Sequence, residues 1–274
     1  MTPIVPIFRS HYSLGPGGSS LLTLEEPGKA KPGNPLSVFD CAKGAGLTHV
    51  HLIDNRIDGA LQAYKSAAKA GVSLCYGVKL RIVADVSDKT PDSKRGESSI
   101  IVLATGGKAG YQDLIRIWNR AWGYAGQFIF RDDRYGRTDW DMISNLWTEN
   151  LGLALPYFSS FIAKNTLTFS QITPSFPRGV VPWLLKEVDG GGLPFAPLLD
   201  TALDRYIGED AERRARLVPS KTVLYSKRSD FKAYTVLRAL HEGGTFATPN
   251  VNHFHSNSFS FEDYAALAAP LAPS

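Results

Sequence analysis

The sequence predicts an α/β fold, a distorted parallel barrel of the TIM-like type. Three observations predict it. Apolar runs of strand length recur along the chain, and helical patterns alternate with them. One run, Ile100–Ala104, is unbroken, as in a strand buried on both faces of a parallel sheet. The length, 274 residues, suits several such units closing into one barrel. No linker interrupts the middle, so residues 1–274 read as one domain.

The elements follow in order. Ile4–Phe8 reads as the first strand. Residues 15–35 hold Gly15, Pro16, Gly17, Gly18, Pro27, Gly28, Pro32, Gly33 and Pro35 and read as a surface loop. No Gly-Lys-Ser/Thr closes these glycines into a phosphate loop. Pro35–Ala45 reads as a helix with its stripe on Leu36, Phe39, Cys41, Ala42 and Ala45, stopped by Gly46. Thr48–Ile53 is a strand. Gly59–Ala70 is a helix with Leu61, Tyr64, Ala67 and Ala68 on one face and Gly71 as its stop. Val72–Ala84 holds one or two strands, and the charged stretch 85–97 is a surface loop. Tyr111–Trp122 is a helix and Leu151–Leu155 a strand. Val218–Tyr225 is a strand, followed by a helix over Asp230–His241 that Gly243 and Gly244 stop. Residues 245–274 read as a C-terminal extension. In a barrel the strand ends at Phe8, Ile53, Ala104 and Tyr225 face one cavity.

Composition narrows the function. The net charge is +4 and the pI near 9.0, which suits an acidic partner without requiring one. Two cysteines, Cys41 and Cys75, sit in no metal or disulfide spacing, as expected of a reducing compartment. The N-terminus has no signal-peptide pattern, and no run of about 18 apolar residues exists to span a membrane. A cytoplasmic protein is expected.

Three segments carry a resemblance. The first is Ile7-Phe8-Arg9-Ser10-His11-Tyr12-Ser13-Leu14. The second runs from Leu52-Ile53-Asp54-Asn55 through the helix Gly59–Gly71 to Gly77-Val78-Lys79. The third is Ser99–Ala104 with Gly110-Tyr111-Gln112-Asp113-Leu114. A weaker match covers Leu151–Phe158, and another Val218–Tyr225. In order and spacing these resemble the PHP (polymerase and histidinol phosphatase) domain of bacterial-type DNA polymerase III alpha subunits. Residues 125–150 and 160–215 match poorly. The resemblance implies a distorted α/β barrel and a metal site whose ligand positions are here Ile7, Arg9, Asp54, Asn55, Lys79, Ser99, Tyr157, Thr222 and Leu224. Of these, only Asp54 keeps a good metal donor. Ile7 and Leu224 cannot ligate, and Arg9 and Lys79 repel a cation. At about 4 Å and an effective dielectric of about 20, each unit-charge pair is worth about 4 kcal/mol, doubled for a divalent ion.

The resemblance therefore implies a non-catalytic scaffold and partner-binding domain in DNA replication, with no cofactor. The implied partners are the rest of a polymerase chain, a proofreading exonuclease subunit, and DNA in the assembled complex. The intact protein would be a DNA-directed DNA polymerase. No polymerase palm lies in these residues, and the chain stops where such a domain stops. Arg9 and Lys79 would fill the space the metals left, and one would pair with Asp54.

Two other readings stay open. His49-x-His51-x-x-Asp54 has a metal-like spacing for Mn or Zn, because alternate strand residues share a face. It would make the chain a phosphoesterase, a 3′–5′ exonuclease or pyrophosphatase; two histidines packed on a helix is the ordinary alternative. Arg9, Lys79 and Lys221 could instead bind phosphates in a metal-free nucleic-acid module. Lesser features are Trp118, Trp122 and Tyr124 beside Arg116 and Arg120, an arrangement that can stack bases but more often forms a core helix with a basic face. Arg213, Arg214 and Arg216 read as solvated surface, His11 as a cavity rim, and His253 and His255 as a polar loop.

Overall fold

The computed structural model describes residues 3–13, 19–31, 33–123, 126–130, 133–242 and 256–268. Tyr124, Gly243, Gly244, His253 and His255 lie outside the described residues. The strands are β1 (Val5–Phe8), β2 (His49–Asp54), β3 (Ser73–Val83), β4 (Ser98–Ala104), β5 (Gln127–Phe130), β6 (Asp133–Asp139), β7 (Leu151–Leu155), β8 (Trp183–Glu187) and β9 (Leu217–Val223). The helices are α1 (Val38–Gly44), α2 (Ala60–Ala70), α3 (Pro91–Arg95), α4 (Gly107–Trp122), α5 (Trp140–Leu146), α6 (Phe161–Leu167), α7 (Ala196–Ile207), α8 (Ala211–Ala215), α9 (Phe231–Glu242) and α10 (Phe261–Ala268).

Hydrogen-bonded neighbours run β2, β1, β9, β8, β7, β4, β3, and β2 pairs again with β3. Seven strands thus close a ring, mostly parallel, and β6 and β5 continue from β3. The fold is the expected α/β barrel. By contacts the chain divides into two compact units, residues 1–76, 187–194 and 219–274, and residues 77–186 and 195–218.

In the first unit β1 runs parallel to both β2 and β9, which sets Ile7 opposite His51 and opposite Thr222. Helix α1 begins later than the Pro35 start read from sequence. Ser37 is its N-cap and forms a capping box with Asp40, so the helix opens at Val38. Leu36 and Ala45 are exposed accordingly, while Phe39, Cys41 and Ala42 are buried as expected. Helix α2 ends at Gly71, whose φ of 71° is the left-handed cap that favours glycine. Its buried face is Ala60, Ala63, Ser66 and Ala67; of the expected stripe Ala67 is buried, Tyr64 is half-buried, and Leu61, at 63%, and Ala68 are exposed. Small side chains let this helix lie close, and Gly59 continues the theme. A Cβ there would meet the Tyr12 ring at 2.6 Å and Leu24 at 2.8 Å.

Two segments read as peripheral are core. Leu22 and Leu24, within 15–35, are fully buried, and Thr23 bridges to Ser37. Residues 256–268 of the expected extension supply Phe259 and Tyr264 to the core. The backbone of Phe259 accepts from the Leu224 amide at 2.9 Å, and the Phe261 amide donates to the Tyr225 carbonyl at 2.9 Å. Apolar burial, not chain position, holds them in place.

In the second unit β4 is buried at every residue but the half-buried Leu103, and it runs antiparallel to both β3 and β7. The expected parallel arrangement of Ile100–Ala104 is corrected. The link from β3, which holds the five-residue helix α3, returns the chain directly alongside β3. Ser99, at the start of β4, therefore lies opposite Arg81 near the C-terminal end of β3. Ala104, at the C-terminal end of β4, lies opposite Leu151 at the start of β7. Val72–Ala84 is one strand of 11 residues rather than two. The 85–97 loop also carries structure. Together with α3 it encloses Arg137, fully buried, whose guanidinium donates to the Ser93 hydroxyl (2.9 Å) and to the carbonyls of Val86 (3.1 Å) and Asp88.

Candidate functional site

Asp54 closes β2 and is fully buried. Its carboxylate accepts from the Ser10 amide (2.8 Å), the Ser10 hydroxyl (2.7 Å) and the Ser13 hydroxyl (2.8 Å). Ser13 Oγ in turn accepts from the Asn55 amide at 3.0 Å, and Ser10 Oγ from the Tyr12 amide at 3.2 Å. The turn after β1 is thus wound around one carboxylate. Burial pushes the Asp54 carboxyl up, against the pull of these donors and of Arg9. For Arg9, burial lowers the pKa, while Tyr234 and Asp54 raise it and Arg238 lowers it further. The expected Arg9–Asp54 coupling is therefore electrostatic, and the serines make the hydrogen bonds.

The other positions named by the resemblance fall as follows. Ile7 and Leu224 are buried apolar residues. Thr222 lies beside Ile7 in register but turns to Glu187, with its amide at 3.0 and 3.1 Å and its hydroxyl at 2.7 Å from that carboxylate. In the second unit Lys79 is half-buried on β3, opposite Ile101. The Ser99 amide donates to the Ser159 carbonyl at 2.8 Å. Tyr157 is buried, with its hydroxyl 3.0 Å from the Ala196 carbonyl and 2.8 Å from the Asp200 carboxylate.

Lys221 corrects the phosphate reading outright. Its side chain is fully buried, and its ammonium donates to both Asp189 oxygens, at 2.7 and 2.8 Å, with Glu187 at 3.2 Å. The Phe259 ring lies 5.1 Å away. An ammonium enclosed by two carboxylates has no donor left for a phosphate. Sequence reading missed Glu187 and Asp189. The only local signal was a short apolar run, Trp183-Leu184-Leu185, ahead of an acidic turn.

The His49, His51 and Asp54 site is corrected as well. His49 is exposed, with Nδ1 2.9 Å from the Thr48 hydroxyl. His51 is half-buried, and burial, then His49, holds its ring below the usual imidazole value. The two histidines share a strand face, but Asp54, three residues on, lies on the opposite one and is spent on Ser10 and Ser13. Among the described residues no group of three His, Cys, Asp or Glu could hold a metal ion.

The lesser features are structural. Trp118 and Trp122 stack on each other at 5.8 Å, and the Trp122 ring lies where a Cβ on Gly136 would sit. Arg116 pairs with Asp113 at 2.7 Å. Arg213 lies over the Tyr206 ring at 4.4 Å, Arg214 donates to the Gly208 carbonyl at 2.8 Å, and Arg216 lies over Trp183 at 5.1 Å. His11 is exposed against Tyr12, ring centroids 4.4 Å apart. Among the described residues no helix is long and apolar enough to cross a membrane.

A divalent ion of the kind the resemblance implies does not fit these residues. Ile7 and Leu224 offer no donor, Arg9 and Lys79 are cationic, and the Asp54 carboxylate is already engaged by protein donors. No family model matches the chain, and no curated protein does. Among solved structures, an amidohydrolase from Chromobacterium violaceum, with bound sulfate and no metal, aligns at 21% identity and a TM-score of 0.27. The match covers 42% of this chain and 33% of that one, and nothing about activity follows from a likeness at that score.

Proposed function

We propose that this chain is a non-catalytic PHP-type domain of a replicative DNA polymerase III alpha-like protein, acting in DNA replication as a scaffold and partner-binding domain. The carrying observation is Asp54. The one surviving donor at the matched positions is tied to Ser10 and Ser13 and lies in the field of Arg9, so it serves the fold. The side chains at Ile7, Arg9, Lys79 and Leu224 agree with this reading, because none of them can ligate a divalent ion. Its partners are then the remainder of the polymerase chain and a proofreading exonuclease, with DNA in the assembled complex.

The test has two arms. Tag-free protein is incubated with Mn and Zn and desalted, and its metal is counted by elemental mass spectrometry alongside hydrolysis of a phosphoester and of single-stranded DNA. Substoichiometric metal and no hydrolysis are expected. The protein is also drawn from its native cells with a tag, and the replicative polymerising subunit or its exonuclease is expected in complex with it. A tightly held ion with turnover, or a native complex lacking every replication protein, would overturn the proposal.

A further inference from the structure

Helix α6 in the second unit ends on a residue with two local costs. Thr168 is the C-cap, and Phe169 follows it with a φ of 53°. Among the described residues Phe169 is the only one besides glycine with a positive φ. That place after a helix suits glycine or asparagine, because a Cβ crowds the backbone there. The Phe169 side chain is also 88% exposed, more than any other large apolar residue described. Burial in the chain's own core therefore does not offset the strain. The contrast lies a few residues on. Phe176 packs on Trp140 at 5.2 Å and on Phe161 at 6.4 Å, so this loop buries one ring and presents the other.

The turn that carries Phe169 is clamped. The Asn165 amide group donates to the Ile172 carbonyl and accepts from the Ile172 amide, both at 2.9 Å. The Thr168 hydroxyl donates to the Lys164 carbonyl at 2.7 Å and lies 2.9 Å from the Ser170 hydroxyl. The backbone is thus held on both sides of the ring, so binding has little order left to impose. The segment is also uncharged. Residues 165–177 contain no Asp, Glu, Lys, Arg or His, in a chain that is 20% charged. An aromatic ring set among Ser, Thr, Asn and Gln has the composition of a protein-binding surface, where charge is depleted at the centre. A phosphate backbone or an anionic lipid surface would call for cations there instead.

We propose that Phe169, on the clamped turn 165–172, anchors a protein docking site whose occupant is an apolar, uncharged pocket on a different protein. A second copy of this chain fits less well. The apolar cavity lined by Leu155, Leu184, Leu199 and Leu203 measures about 10 Å³, room for a water rather than a phenyl ring. Two chains of net charge +4 also repel each other. The site stands on the second unit alone and does not depend on the scaffold reading. A partner foreign to replication would overturn that reading and leave this inference standing.

The experiment replaces Phe169 with the photo-crosslinking residue p-benzoylphenylalanine in the full chain, in its native cells. The same replacement at Leu61, exposed at 63%, is the control. A discrete protein adduct from position 169 and none from position 61 is expected, and mass spectrometry identifies it. That protein is then purified and titrated against the wild type, Phe169→Ser and Phe169→Gly. Both substitutions should weaken binding by about tenfold or more, as truncation of a buried aromatic anchor does. Phe169→Gly should at the same time raise the urea midpoint, because glycine accepts a φ of 53° without a Cβ. Weaker binding by a more stable protein cannot come from a loosened fold. No adduct at 169, an adduct with a second copy, equal adducts at both positions, or unchanged affinity of Phe169→Ser would overturn the proposal. So would a lowered midpoint for Phe169→Gly, or binding of single-stranded DNA or phosphatidylserine vesicles that Phe169→Ser abolishes.

Discussion

Asp54 is where residue chemistry is most exposed to measurement. Burial raises its carboxyl above the ordinary range in the folded state. A group with a raised folded pKa holds its proton better when folded. Its contribution is complete below the unfolded value and is lost as pH rises through the folded one. Asp54→Asn keeps the shape and removes the titration. The variant's stability relative to wild type should therefore rise as pH climbs above the ordinary carboxylate range, as read by urea midpoints. A difference that stays flat with pH would contradict this. Lys221 gives the opposite kind of test. Lys221→Ala leaves Glu187 and Asp189 facing each other without their shared cation. A loss of about 3–5 kcal/mol is expected by chemical denaturation. Glu187 is pushed up by its burial, with Lys221 and Thr222 pulling the other way. Part of the repulsion in the Lys221 variant would then be relieved by a proton on Glu187.

At the scale of the element, caps and close approaches decide where helices and strands sit. Ser37 caps α1 and shares a box with Asp40, so Ser37→Ala should cost about 1 kcal/mol, measured as a shift in the urea midpoint. Within β7, Gly152 faces Trp183 of β8. A Cβ there would lie 2.4 Å from the Trp183 ring and 3.1 Å from the Thr105 methyl. Gly152→Ala should cost about 1–3 kcal/mol, because the added methyl and the Trp183 ring would claim the same space. An unchanged midpoint would mean that the ring swings aside. Much of this level was readable from residues. The strand at Leu151–Leu155, the Gly71 stop and the helix ending at Trp122 were all present as local pattern. Which face of α2 is buried was not. Leu61 is the more apolar candidate, yet the alanine face wins because the helix approaches Tyr12, Leu24 and its neighbours too closely for larger side chains.

For the whole molecule, the test is whether the barrel serves as a scaffold without a metal. The protein should keep the same thermal midpoint after exhaustive chelation, since its polar core is held by Ser10, Ser13, Lys221 and Thr222 rather than by an ion. A large drop on chelation, restored by Mn or Zn, would show that donors converge after all. Sequence alone determined the α/β barrel, since strand runs and helical periods are local signals that survive without any partner. It also fixed the side-chain chemistry at the matched positions, because Ile7 and Leu224 carry no ligating atom in any geometry. Only the tertiary structure decided the rest. It set β4 antiparallel to β3 and β7, a pairing that the unbroken apolar run cannot announce, because burial on both faces is the same in either direction. It spent Lys221 on Glu187 and Asp189, some 32–34 residues away in the chain, which no local pattern could announce. It drew residues 256–268 into the core and turned Arg238 of α9 inward. A side chain's role depends on which distant groups share its burial, and that is settled only when the chain has closed.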